Sequence, residues 1–240
     1  MYYIGVDLGT SAVKLLLMEA DGSIRNVVSK EYPLYFPHPG WSEQNPEDWF
    51  AQSMEGIKEL TEGIDRKEVA GIGFGGQMHG LVTLDKDDNV IRPAILWNDG
   101  RSAQECAILE ENVSDSREIT GNLMMPGFTA PKLLWVARHE PDIFRQTDKV
   151  LLPKDYLRLR MTGVFASDMS DAAGTMWLNV AQRDWSDAML AACHLQREHM
   201  PALFEGSEIT GELKDDVARA WGMKAVPVVA GGGDNAAGAV

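Results

Sequence analysis

The sequence predicts an α/β protein built on a mixed five-stranded sheet with flanking helices. Three observations carry that expectation. The apolar run in "YYIGVDLGT" (2–10) is followed at once by a hairpin pattern rather than a helix. A helix and a second buried strand, "VAGIGFGG" (69–76), then complete a β-β-β-α-β order, which differs from the alternating β-α-β of a dinucleotide-binding sheet. Glycines stand at the ends of the apolar runs, around 9, 75–76 and 231–233, where the backbone can come close to a ligand.

The elements follow in order. "AVKLLLMEADGSIRNVVSKEY" (12–32) holds two β-rich runs hinged at Asp21-Gly22, the strongest short hairpin signal in the chain. "PEDWFAQSMEGIKELTEG" (46–63) has Pro46 in its first turn, acids behind it, and Trp49, Met54, Ile57 and Leu60 at helical spacing. "LVTLDKDDNVIRPAILWND" (81–99) reads as a second hairpin turning near Asp87 to Asn89. "RSAQECAILEEN" (101–112) and "APKLLWVARHE" (130–140) are amphipathic helices, and "KVLLPKDYLRLRMTG" (149–163) is a short strand running into a helix that ends at Gly163. Helices are expected to dominate from there to a terminal strand, Val226 to Ala230. Gly231, Gly232 and Gly233 then turn the chain into a helix with Asp234 as N-cap. No low-complexity linker divides residues 1–240, so one domain with insertions is expected.

Composition narrows the function. The 240 residues, 45% hydrophobic and 24% charged, hold ample core material. A net charge of −14 and a pI near 4.7 argue against nucleic-acid and anionic-membrane partners, which are bound through excess Lys and Arg. A small neutral substrate fits better; a bound nucleotide would draw its positive field from backbone amides and a metal ion. Cys106 and Cys193 have no metal-ligand spacing, so neither a disulfide framework nor a zinc site is expected. Met1 to Thr10 lacks a basic leader and no long apolar run occurs, which predicts a cytoplasmic protein.

Three strand-end stretches carry chemistry. In "DLGTSAVK" (7–14), Asp7, Gly9, Thr10 and Ser11 can cradle phosphate oxygens and hold magnesium through its waters; alone, the stretch fits a plain hairpin turn equally well. In "GFGGQMHG" (73–80), Gln77 and His79 offer donors and acceptors suited to sugar hydroxyls, although a lone His after a strand is more often a hydrogen-bonded loop residue. In "GGGDNAAG" (231–238), Asp234 is a helix cap on the bland reading and a general base for phosphoryl transfer on the functional one. Trp41, Trp97 and Trp135 read as core or loop anchors. For Asp168 and Asp171 in "SDMSDAAGTMW", a polar cap cluster and a substrate-facing role stay equally open.

Together these stretches resemble the N-terminal domain of the FGGY carbohydrate kinases, which implies a ribonuclease-H-like fold of the actin-like ATPase superfamily. The resemblance spans the chain through "YIGVDLGTSAVK", "HPGWSEQNPEDW", "GGQMHG", "PAILWNDGR", "GNLMMPGFTAPKLLW", "LLPKDYLRLRMTG", "SDMSDAAGTMW" and "VVAGGGDNAAGAV", in that order. "GFTAPKLLWVARH" (127–139) is similar to the family's first signature, with a Lys and a Trp in a fixed frame. Glycerol-specific members carry Arg-Glu where this chain has Met78-His79, and an aromatic where it has Gly127. The likeness is to the branch acting on xylulose, and a glycine at 127 is expected to leave room for a longer polyol. The resemblance implies that Met78, His79, Asp234 and Asn235 meet the sugar, with Asp234 as the base. It implies that Asp7, Gly9, Thr10 and Ser11 meet magnesium and the transferred phosphate of ATP, with Lys14 adding charge. The implied reaction converts ATP and D-xylulose to ADP and D-xylulose 5-phosphate. Ribulose, gluconate or glycerol as substrate, and a stand-alone sugar-binding module, are the alternatives. Family members are nearly twice as long, so a C-terminal nucleotide-binding domain is expected to lie outside this chain, leaving it inactive or weakly active. The apolar face so uncovered is expected to favour a homodimer.

Overall fold

The computed structural model describes residues 1–239. Strand β1 (Tyr2–Leu8) alternates with period two and buries Ile4, Val6 and Leu8. Its antiparallel partner β2 (Ala12–Glu19) buries Val13, Leu15 and Leu17 and sets Lys14 opposite Asp7. The expected turn follows: Asp21 Oδ1 accepts from the Ser23 amide at 2.9 Å, and Gly22 takes φ 89°. β3 (Ile24–Glu31) returns along β2. After the short β4 (Glu43–Gln44), α1 (Pro46–Leu60) starts where the Asn45 side chain accepts from the Glu47 amide, and it buries Trp49, Ile57 and Leu60. β5 (Val69–Gly76) then runs parallel to β1, with Gly75 opposite Asp7.

The second expected hairpin is only partly formed. Its turn closes between Asp85 and Asn89, but β6 (Val82–Leu84) and β7 (Ala94–Ile95) find their main partners elsewhere. β6 pairs with β8 (Lys149–Leu151) and β7 with β4, because both faces of these strands are buried and better satisfied by distant chain. The helices α2 (Ala103–Asn112), α3 (Ser116–Thr120), α4 (Thr129–His139), α5 (Pro141–Phe144) and α6 (Pro153–Thr162) follow, and α6 ends at a left-handed Gly163 as expected.

Helices do not dominate the stretch that follows. It contains β9 (Ala166–Asp168), α7 (Met169–Ala172), β10 (Leu178–Asn179), β11 (Asp184–Trp185), α8 (Asp187–Ala192), β12 (Ala202–Phe204), β13 (Ile209–Glu212) and α9 (Asp215–Trp221). The apolar runs here are cut by Gly174, Pro201, Gly206 and Gly211, and the two- to four-residue strands exist because long-range partners pair with them, β9 with β12 and β10 with β11. β14 (Pro227–Val229) lies parallel to β5, and the two-residue β15 (Gly232–Gly233) pairs with Gly75 and Gly76. The expected five strands run β14-β5-β1-β2-β3; β13 at the edge and β15 beside β5 bring the sheet to seven. In α10 (Asp234–Ala237) the cap position is Gly233, so Asp234 is the first helical residue, its carboxylate folded onto the Asn235 amide at 2.8 Å. Val240, which ends the last family-like stretch, lies outside the described residues.

Two apolar cores support this frame. Trp49, Ile57, Tyr156, Leu157 and Trp221 pack with the sheet residues, and a second cluster around Leu109, Leu133, Trp177 and Leu190 joins α2, α4 and α8. Each such side chain contributes about 1.5–3 kcal/mol by leaving water.

Between the two cores lies a buried charge cluster on α6. Lys154 Nζ sits 2.5 Å from Asp168, 2.8 Å from Asp155 and 3.3 Å from Asp171, all of them buried. Arg158 donates to Asp155 at 2.9 Å, to the Ala166 carbonyl at 2.6 Å and to the Ala230 carbonyl. Three carboxyl groups face two cations, which leaves one acid without a counter-charge of its own. Burial pushes the Asp171 carboxyl up to about 8; Lys154 opposes the shift, and Asp155 and Asp168 add to it. Asp168 and Asp171, undecided in the sequence, are therefore structural.

Above pH of about 4 the unfolded chain has released the proton that folded Asp171 keeps, so stability falls as pH rises from about 4 to about 8. Asp171→Asn, which mimics the protonated acid, should therefore gain at least about 1 kcal/mol on the native protein between pH 5.5 and 8.5 in chemical denaturation. A constant difference across that range would disprove retention of the proton. Gly231 has φ 81°, and a Cβ there would lie 2.0 Å from the Phe74 carbonyl oxygen. Gly231→Ala should destabilise the chain by more than about 2 kcal/mol in the same assay.

Candidate active site

Strands β1, β2 and β5, with Gly231 and α10, enclose a cleft of about 530 Å³ whose lining includes Asp7, Lys14, Phe74, Gly75, Asp234 and Ala237. Gly75 lies close to both walls: a Cβ there would make ordinary van der Waals contact with Ala237 Cβ at 3.7 Å and Asp7 Oδ1 at 4.0 Å, and a longer side chain would project among them. The Asp7 carboxyl is held above its ordinary pKa by burial first, then by the negative charge of Asp234, with Lys14 opposing both. The first and third stretches read from the sequence thus meet in one cleft. Two carboxylates repelling each other there create a demand for a cation.

The β1–β2 turn beside this cleft is tightly tied. The Gly9 amide donates to the carbonyls of Asp7 and Ala12, at 3.2 and 3.1 Å, and a Cβ on Gly9 would stand 2.9 Å from the Ala12 oxygen. The Gly9 carbonyl accepts from the Tyr32 hydroxyl and, at 3.4 Å, from Gln77 Nε2. The Thr10 carbonyl accepts from Gln44 Nε2 at 2.6 Å, and Thr10 Oγ1 accepts from Trp97 Nε1 at 3.0 Å. Ser11 is exposed at the tip. Gln77 is only 1% exposed and its Nε2 donates to the Gly9 carbonyl and Gln44 Oε1, so it braces this loop from beneath the surface.

Met78 and His79 follow β5. The Met78 side chain fills the space left by Gly233, where a Cβ would meet its Cγ at 2.6 Å, so it packs next to Asp234. His79 is left-handed, φ 67°, and its ring lies edge-on to Phe128 with centroids 4.7 Å apart. Its Nδ1 lies 2.9 Å from the Gly174 carbonyl. A carbonyl only accepts, so the neutral ring carries its hydrogen on Nδ1 and leaves Nε2 as an acceptor. Burial holds the His79 pKa below its ordinary value; the Gly174 bond opposes this, Lys132 adds to it and Asp234 opposes it.

Asp234 stands where a relay ends. Ser170 Oγ donates to Asp168 at 2.5 Å and accepts from the Gly233 amide at 3.3 Å, so the buried cluster on α6 reaches the residue before Asp234. Asn235 is exposed and does not line the cleft.

Sequence reasoning missed several supporting residues. Trp97 is 48% exposed, so it is not a core residue but a loop anchor bonded to Thr10. Trp41 and Trp135 are structural: Arg101 stacks 3.7 Å from the first ring centroid and 5.0 Å from the second. Gly127 does not open space for a polyol, since a Cβ there would lie 2.7 Å from the Trp97 carbonyl oxygen. Lys132 stood out only as the Lys of the family-like "GFTAPKLLWVARH" frame and Ser170 and Lys154 had no role assigned, since no local pattern shows what a buried cation touches.

Comparison with known proteins agrees with the fold. Residues 2–240 match the family described as the FGGY family of carbohydrate kinases, N-terminal domain. The chain is 65% identical over 238 residues to a xylulose kinase of Escherichia coli (strain K12), covering 99% of this chain and 49% of that enzyme. Among solved structures, a xyloylose kinase from Brucella ovis superposes with a TM-score of 0.95 at 48% identity, over 98% of this chain and 49% of the other. A gluconate kinase from Lactobacillus acidophilus gives 0.90 at 30% identity, over 97% of this chain and 48% of the other. The chain spans about half the length of the curated relatives it matches. With a mixed sheet whose strand ends converge on one cleft, and a family match across almost every residue, the chain belongs to the FGGY family of carbohydrate kinases, in the N-terminal domain.

Proposed function

We propose that the chain is the sugar-binding lobe of a kinase that transfers phosphate from ATP to D-xylulose, giving D-xylulose 5-phosphate, and that a C-terminal lobe supplies most nucleotide contacts. The observation that carries this reading is the shared cleft of Asp7 and Asp234, with Met78 packed against the Gly233-Asp234 turn. Xylulose is preferred as substrate because relatives at 65% and 63% identity are xylulose kinases.

In this reading Met78, His79 and Asp234 hold the open-chain sugar, the Nε2 lone pair of neutral His79 accepting from a hydroxyl, and Asn235, exposed beside the cleft, is left out of the contact set. Asp234 takes the proton of the terminal hydroxyl as its oxygen bonds to the γ-phosphorus, and the bond from that phosphorus to the ADP oxygen breaks. Gly9, Thr10 and Ser11 offer amides and hydroxyls to the phosphate, and Lys14 adds positive charge at the cleft wall. Asp7, with the charge of Asp234 beside it, offers a single carboxylate that would hold magnesium while the ion kept waters and phosphate oxygens. When bound, magnesium neutralises phosphate charge. No helix among the described residues is long and apolar enough to cross a membrane, and a cytoplasmic enzyme is the reading adopted.

The test is ADP release by the full-length gene product with D-xylulose, ribulose, gluconate and glycerol. D-xylulose should lead in kcat/KM by about 100-fold or more, and a lead for glycerol or gluconate would replace the substrate assignment. Sugar binding without turnover would favour the stand-alone module. Asp234→Asn should lower kcat about 100-fold or more while the sugar Kd moves only a few-fold; turnover near the native rate would remove Asp234 from the base role.

A further inference from the structure

We propose that Lys132 is a positioning residue for sugar recognition, its amine fastening the carbonyls of His79 and Gly127 to α4. The inference rests on the reading that His79 meets the sugar. Lys132 is wholly buried, and its Nζ donates to the His79 carbonyl at 2.8 Å and to the Gly127 carbonyl at 2.6 Å. Thr129 Oγ1, one turn earlier on the same helix, donates to the same His79 oxygen at 3.1 Å. His79 occupies a left-handed conformation that side chains beyond glycine rarely adopt, and two donors from α4 hold it there.

The ring is fixed from the other side by the Gly174 carbonyl and Phe128, the residue after Gly127. One amine therefore joins the backbone of the sugar-contacting turn to the loop that carries the ring's apolar support. Among the described residues Lys132 forms no ion pair: its bonded acceptors are carbonyls, with Asp99 and Arg101 acting only through space. Burial lowers its pKa to about 7, so keeping an amine here costs stability that an apolar side chain would not. That cost fits a residue retained for geometry.

The experiment compares Lys132→Met with the native full-length gene product, reading KM for the sugar and KM for ATP separately, with a thermal melt. The sugar KM should rise about tenfold or more and ATP KM should stay within about twofold, while the melt shows that the variant is folded at the assay temperature, the relief of burying an amine being opposed by the Gly127 carbonyl losing its donor. An unchanged sugar KM, or equal rises in both constants, would overturn the proposal. If Lys132→Met does not fold, Thr129→Val carries the test: a rise of about threefold in sugar KM alone supports it, and no rise overturns it. The native enzyme is assayed with the best sugar of the four-substrate panel, so a wrong substrate assignment leaves this test intact. A native enzyme that neither binds nor turns over any of the four sinks the functional reading and this inference together.

Discussion

The ammonium of Lys154, gripping three carboxylates out of reach of water, is the interaction on which the placement of the site depends. Burial opposes its charge, but Asp155, Asp171 and Asp168 together outweigh that and hold its pKa above the usual lysine value. Such a cluster is weak evidence for extra stability, since apolar side chains of the same volume often do as well. Its value here is directional. It fixes α6, β9 and α7 in one arrangement, and Arg158 extends the grip to the Ala230 carbonyl, directly before the glycine turn that leads to Asp234.

The glycines solve the converse problem of close approach. Gly75 lines the cleft, Gly232 and Gly233 leave room behind it for Ser170 and Met78, and Gly231 provides the left-handed turn that lets β15 lie beside β5. Strand interiors normally resist glycine because it adds no packing and has most conformational freedom to lose. The cost is offset by the hydrogen bonds of the ladder and by the apolar cores on either side, and the return is a bare backbone surface beside two carboxylates.

The site then divides the work by electrostatics. In the cleft Asp7 and Asp234 raise each other's energy, an arrangement suited to a cation and phosphate. Outside the lining of that cleft, beyond Met78, burial holds the His79 pKa below its ordinary value, which favours the neutral ring with an acceptor nitrogen. The net charge of −14 leaves few surface cations to attract anions generally, so recognition rests on these placed groups.

Local pattern was enough for the opening unit. Period-two alternation, Asp21-Gly22 and the capped helix at Pro46 determine β1, β2, β3, α1 and β5, because each depends on neighbours a few residues away. The strand-end loops of Asp7, Met78-His79 and Asp234 were legible for the same reason, as glycine, carboxylate and amide types at the ends of apolar runs. Tertiary structure decided the rest. Strands of two to four residues such as β9 and β15 have too little sequence to carry a period and exist only through distant partners. The duties of Gln77, Gly127 and Asp171 changed on folding, since what a buried polar group or a glycine does is set by atoms dozens of residues away. The sequence by itself determined which chemical groups stand at the strand ends. Only the packed chain decided which of them face the cleft, because desolvation and close approach act between segments that meet only in the fold.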